Sequence, residues 1–133
     1  MGAEITYDYA IIRVVPRVER GERINVGVIL SCVDGDFLDA RFEVDSARLR
    51  ALDPSVDIDL VRAAIASMSA VCAGGSGAGP LGALSARERF RWLVSPRSTV
   101  IQPSPVHTGK ARDPITALDH LFATMVRPQA TDL

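Results

Sequence analysis

The chain has 133 residues, 47% of them hydrophobic, which suits one globular domain able to bury its own core without a disulfide or metal staple. Fifteen basic and sixteen acidic side chains leave a net charge of −1, so no global positive field draws it to nucleic acid, which argues against that partner class. No apolar run reaches the length of a membrane span and no basic leader opens the chain, so the expectation is a cytoplasmic single domain over 1–133 with no membrane partner.

Positions 7–15 read as a strand rich in Tyr, Ile and Val, apolar on both faces as a central strand is, and closed by Pro16. The segment around Gly21 turns the chain. Positions 24–33 read as a second strand, with Ile24, Val26, Val28, Leu30 and Cys32 on one face and Asn25, Gly27, Ile29 and Ser31 on the other. Asp34-Gly35 is a strong hairpin signal. A third strand follows, alternating Leu38, Ala40, Phe42 and Val44 with Asp39, Arg41 and Glu43, so that the apolar set should face the helices.

Helical signals come next. A short helix is expected over 46–52, before Pro54. Ile58, Val61, Ile65, Met68 and Cys72 then recur at three- and four-residue spacing, with Asp57 or Asp59 at the helix start. The stretch 73–83 is rich in glycine and reads as a flexible loop. Ser85 and Glu88 form a capping box ahead of Phe90, Leu93 and Val94, and the helix should stop before Pro96. A short fourth strand is expected over 98–102, then a long loop with two prolines. Asp113-Pro114 marks the last helix, with Ile115, Leu118, Leu121, Phe122 and Met125 on its apolar face. The expected fold is α+β: a small antiparallel sheet, a three-strand meander plus a fourth short strand, with helices packed on one face.

Charge is unevenly placed along this order. Eight acids stand against three arginines between positions 34 and 59, and six bases against Glu88 alone between 87 and 112. Such polarity can orient a partner. All basic residues but Lys110 are arginine, the residue that grips carboxylate and phosphate with two parallel bonds.

Few motifs carry chemistry. Gly77, Gly79 and Gly82 fit G-x-G-x-x-G, but they follow a helix and contain Pro80, so the dinucleotide-binding context is missing. The run His107 to Lys110 echoes the end of a phosphate-binding loop without its upstream glycine or its following Ser/Thr. It does sit in a basic, hydroxyl-rich stretch with Arg97, Ser98, Thr99, Ser104 and Arg112. Arg17, Arg20 and Arg23 bracket a turn that also holds Glu19 and Glu22, so a phosphate clamp and plain ion pairing are both open. His107 has no serine, cysteine or carboxylate beside it to mark a triad, and His120 falls on the polar side of its helix. Cys32 and Cys72 lie outside any metal-ligand spacing, so both are expected to be buried, reduced thiols, with no metal and no cofactor.

The segments YDYAIIRVVPRVERGERINVGVIL and ERFRWLVSPRSTVIQPSPVHTG resemble an uncharacterised bacterial family, domain of unknown function 3037, over nearly the whole chain. The family's characteristic positions correspond here to Tyr7, Asp8, Tyr9, Arg13, Pro16, Arg17, Glu19, Gly21, Asn25, Gly27 and Val28 in the first motif. In the second they correspond to Arg89, Phe90, Trp92, Pro96, Arg97, Ser98, Ser104, Pro105, His107, Thr108 and Gly109. The resemblance implies no reaction or cofactor. It does suggest a partner, since such proteins are often encoded beside one that looks like a serine/threonine kinase of the toxin–antitoxin kind. Two readings follow: a non-catalytic accessory or regulatory module that binds another protein, and a small enzyme or binding domain for an anionic small molecule. Under the second, Arg17, Arg97, Ser98 and His107 are expected to converge as an anion site, with Arg20, Arg23, Asn25, Thr108 and Lys110 as secondary candidates.

Overall fold

A computed structural model describes residues 3–128. Three strands open the chain, β1 (Ile5–Val14), β2 (Ile24–Cys32) and β3 (Leu38–Phe42). Helices α1 (Ser46–Leu52) and α2 (Ile58–Ala73), a stretch of 3-10 turns (Ser76–Ala83) and α3 (Ala86–Leu93) follow. Strands β4 (Ile101–Pro103) and β5 (His107–Ala111) then precede α4 (Pro114–Met125). The fold is α+β with a small, wholly antiparallel sheet of order β3-β2-β1-β4, in which β5 also pairs with β1.

The meander forms as the alternation dictates, and the caps fall where the side chains can serve them. Asp45, Asp57, Ser85 and Asp113 each accept a backbone N–H in the first turn of α1, α2, α3 and α4. Leu38, Ala40, Phe42 and Val44 all pack toward the core beneath α2 and α3.

The sheet is covered on both faces, where one was expected. Ile12, Val14, Val26 and Ile29 join Val61, Ile65, Met68, Phe90 and Leu93 in one core. Ile11, Val28 and Leu30 meet Leu118, Leu121 and Phe122 of α4 in a second core, on the other side. β1 and β2 are apolar on both faces, and burying both requires a layer on each. Ion pairs Arg41–Asp119 (3.1 Å) and Arg127–Glu43 (3.8 Å) fasten α4 across the β3 edge.

The side-chain parity of β2 also departs from simple alternation. Ile12 pairs with Gly27 but Arg13 with Asn25, so Val26 is an extra residue in the ladder. This β-bulge moves Ile24 and Val26 to the face opposite Val28 and Leu30. Gly27 is required beside it, because the Phe42 ring lies across the space a Cβ would fill.

Strand β4 covers 101–103, later than the expected 98–102, and the loop after it holds a fifth strand. Pro103 and Pro105 break what would otherwise be one long edge strand into β4 and β5. Ser104 bridges the break. Its amide donates to Ile11 O at 2.7 Å, and its buried hydroxyl accepts from Ile11 N at 2.8 Å.

The stretch 73–83 is built differently from the flexible loop expected. Its 3-10 turns pack Ala78 and Leu81 on the core under α2. The Gly75 amide donates to Gly82 O at 3.2 Å, and a Cβ on residue 82 would overlap the Gly75 backbone. Glycine is there for close backbone approach. Gly82→Ala should therefore destabilise the fold by about 1–3 kcal/mol, as overpacking does. A urea midpoint unchanged by that substitution would mean that the segment is a loose linker.

Candidate functional site

The expected anion cluster does not assemble. Arg17 sits at the start of the turn after β1, 3.7 Å from the buried carboxylate of Asp53 and 3.9 Å from Glu19. Two hydrogen bonds from Ser55, one from its hydroxyl and one from its amide, hold the Asp53 carboxyl below the usual range, and the Arg17 charge adds to them. Arg17 and Arg20 share a shallow polar hollow with Glu22, Asp53 and Pro54, and Arg20 pairs with Glu22. Their charges are answered within the chain.

Arg97 lies elsewhere, on the α2–α3 side of the sheet. Its guanidinium stacks on the Trp92 ring, 4.7 Å from the centroid, and donates to Trp92 O at 2.8 Å. Ser98 is exposed beside it. His107 is on the opposite face. Its ring lies 5.4 Å from that of Tyr9, its cross-strand partner, and Tyr9 packs toward α4. None of the three main hollows among the described residues holds two of Arg17, Arg97 and His107. Arg17 stands in the turn after β1 and Arg97 in the segment before β4, each held by neighbours there, while His107 lies within β5 against Tyr9.

Most of the polar residues in these motifs knit the sheet together. Thr108 donates to Asp8 at 2.6 Å, and Arg87 of α3 bonds both Asp8 (2.9 Å) and Ser31 (3.1 Å). Burial raises the Asp8 pKa, but the hydrogen bonds from Thr108 and Arg87 and the Arg87 charge outweigh it, so the carboxyl titrates below its ordinary value. Asn25 donates to Met125 O at 2.9 Å, tying β2 to the last turn of α4. Arg89 donates to Val71 O and Leu84 O at 2.9 and 2.6 Å, closing the carbonyl end of α2 against the 3-10 turns. Lys110 lines a hollow at the start of α4 with Tyr7, Arg112 and His120.

Two elements of chemistry can be placed. Among the described residues, no three His, Cys, Asp or Glu side chains gather as metal ligands. Cys32 and Cys72 are free and buried. Burial, with Asp39 acting in the same direction and Arg89 against it, pushes the Cys72 thiol up to about 12, and burial raises Cys32 as well. Neither is an activated nucleophile.

The feature that sequence reasoning missed is an apolar groove of about 560 Å³ between α2 and the segment leading from α3 into β4. Leu60, Ala63, Ala64 and Ser67 form one wall, Trp92, Arg97 and Thr99 the other, and Met68 and Ile101 the floor. Leu60 and Trp92 remain 54% and 44% exposed at its rim. The signal was present in α2 as a second stripe at positions 60, 63–64 and 67, beside the stronger stripe that fills the core. Among the described residues, no single helix is long and apolar enough to cross a membrane.

Residues 9–126 match the family described as "Protein of unknown function (DUF3037)", and the chain belongs to that family. No curated protein and no solved structure matches it.

The Asp8 network makes a pH-dependent contribution of known sign. A carboxylate whose folded pKa is lowered stabilises the fold above its unfolded pKa, about 3.9, and that stability is lost as pH falls through the folded value. Asp8→Asn should cost about 1.5–3 kcal/mol at pH 7, the range for hydrogen bonds to a charged group. The gap to wild type should close as pH drops below about 4. Urea titrations at several pH values read this, and a gap independent of pH would assign the loss to packing.

Proposed function

We propose that this protein is a non-catalytic accessory module that binds another protein, and that the groove between α2 and the α3–β4 segment is where it docks. The observation that carries this reading is the exposed pair Leu60 and Trp92 flanking a floor of small and apolar side chains. Exposed apolar side chains gathered around a groove, rather than scattered singly, point to an interaction site. Tryptophan at the rim supplies the kind of anchor on which most binding energy concentrates.

The groove also favours one kind of occupant. Arg97 stands on its wall with its guanidinium over the Trp92 ring, and among the described residues no carboxylate pairs with it. An amphipathic helix that lays two or three apolar side chains between Leu60 and Trp92, with an Asp or Glu placed over Arg97, satisfies both the surface and the charge. The family resemblance supplies a candidate source of that helix, the kinase-like neighbour. The alternative reading, a ligand domain built on Arg17, Arg97, Ser98 and His107, loses its main support once those residues fall on different faces.

A photo-crosslinking side chain at Ala63, inside the groove, tests the reading in the native cell, with Thr124 on the outer side of α4 as the comparison. The expected result is one discrete protein adduct at position 63, absent at 124. Leu60→Glu should abolish it while changing stability by no more than about 0.5 kcal/mol, as an exposed position allows. Adducts at 124 with none at 63 would place the interface on the α4 face and contradict the proposal.

A further inference from the structure

One polar row on the sheet belongs neither to the groove nor to the Asp8 network. Asn25 of β2 and Gln102 of β4 stand opposite Arg13 of β1, one on each side. Directly opposed residues share a face, so three long polar side chains line up across three strands. The row lies on the α4 side of the sheet, at the last turn of that helix, where Asn25 contacts Met125 O. Arg23, two residues before Asn25, stands exposed in the segment just ahead of β2.

The charge in this row is unanswered. Nε of Arg13 is sealed from solvent and meets no acceptor. Among the described residues, no carboxylate lies within ion-pair distance of Arg13 or Arg23. Burial lowers the Arg13 pKa and the nearby Arg23 charge lowers it further, so the two guanidiniums act on each other. Three other partly buried arginines are answered within the chain. Arg87 is matched by Asp8, Arg41 by Asp39 and Asp119, and Arg89 by backbone carbonyls. Two like charges near each other, with no carboxylate among the described residues and one N–H that has nothing to bond, describe a site short of an anion.

We infer that Arg13 and Arg23, with the remaining amide N–H of Asn25, form a binding site for a doubly charged oxyanion of the phosphate monoester class. Two guanidiniums balance a dianion, where a carboxylate would answer only one of them. Guanidinium N–H groups in a planar fork match phosphate oxygens, and an amide N–H adds a neutral donor at the rim. The site is independent of the groove, since Arg97 has no part in it. Of the residues that the sequence marks as secondary candidates, it unites Arg23 and Asn25, which the turn at Gly21 brings back beside β1.

Titration of the full chain with inorganic phosphate, against chloride at matched ionic strength, reads the inference by the amide NMR shifts of Arg13, Arg23 and Asn25. Saturable shifts at those amides are expected, with about tenfold weaker binding in Arg23→Gln and none resolved in Arg13→Gln. Arg23 is exposed, so its variant should keep the wild-type fold even if Arg13→Gln does not. Arg97→Gln should bind as wild type does. Phosphoserine and a sugar phosphate, compared in the same titration, tell a protein-borne phosphate from a small-molecule one, and both must lose affinity in Arg23→Gln. Shifts absent in the wild type, unchanged in Arg23→Gln, or lost in Arg97→Gln would each overturn the assignment.

Discussion

Ten residues of β1 must find backbone partners on two sides, and the rest of the structure follows from how that is done. On one side β2 supplies a continuous ladder. On the other, two short strands share the work, and the joint between them falls opposite Ile11. The register changes by one residue across the joint, from Ile12 opposite Pro103 to Tyr9 opposite His107, and the hydroxyl of Ser104 takes the Ile11 N–H in place of a carbonyl. An unpaired buried N–H would cost about 1–3 kcal/mol, which makes this one side chain the closure of the central strand.

The same joint decides where chemistry can sit. β4 runs antiparallel to the end of β1, which brings Gln102 beside Arg13 and leaves the α3–β4 segment standing off α2 as the groove wall. β5 runs beside the start of β1, which sets Thr108 against Asp8 on one face and His107 against Tyr9 on the other. The polar residues of the two family motifs are thus mostly sheet partners of each other. What the sheet partners leave over, and what the two proposals rest on, is the apolar groove and the pair Arg13 and Arg23.

Much of the fold was legible because its signals are local. Caps at Asp57, Ser85 and Asp113, the Asp34-Gly35 turn and the alternation of Leu38, Ala40 and Phe42 each depend on neighbours in sequence. The second helical layer was legible in principle, since β1 shows apolar side chains on both faces. What the sequence hides is relational. β5, with His107, Gly109 and Lys110, has too little strand propensity to be seen without its partner. The Val26 bulge is a property of two strands together. Arg17 looks like a ligand clamp until Asp53, far along the chain, arrives beside it. The groove escapes notice because α2 carries two apolar stripes and the stronger one explains the helix alone.

The claim that Ser104 closes the central strand is open to direct measurement by amide hydrogen exchange at Ile11. In the wild type this amide should exchange among the slowest in the protein, with its β1 neighbours. In Ser104→Ala it should exchange about tenfold or more faster, since about 1.4 kcal/mol of lost protection is a factor of ten, while Tyr9 and the β2 ladder change less. An Ile11 amide that exchanges as fast as the exposed turn around Gly21 in the wild type, or is unaffected by the loss of the hydroxyl, would contradict the account.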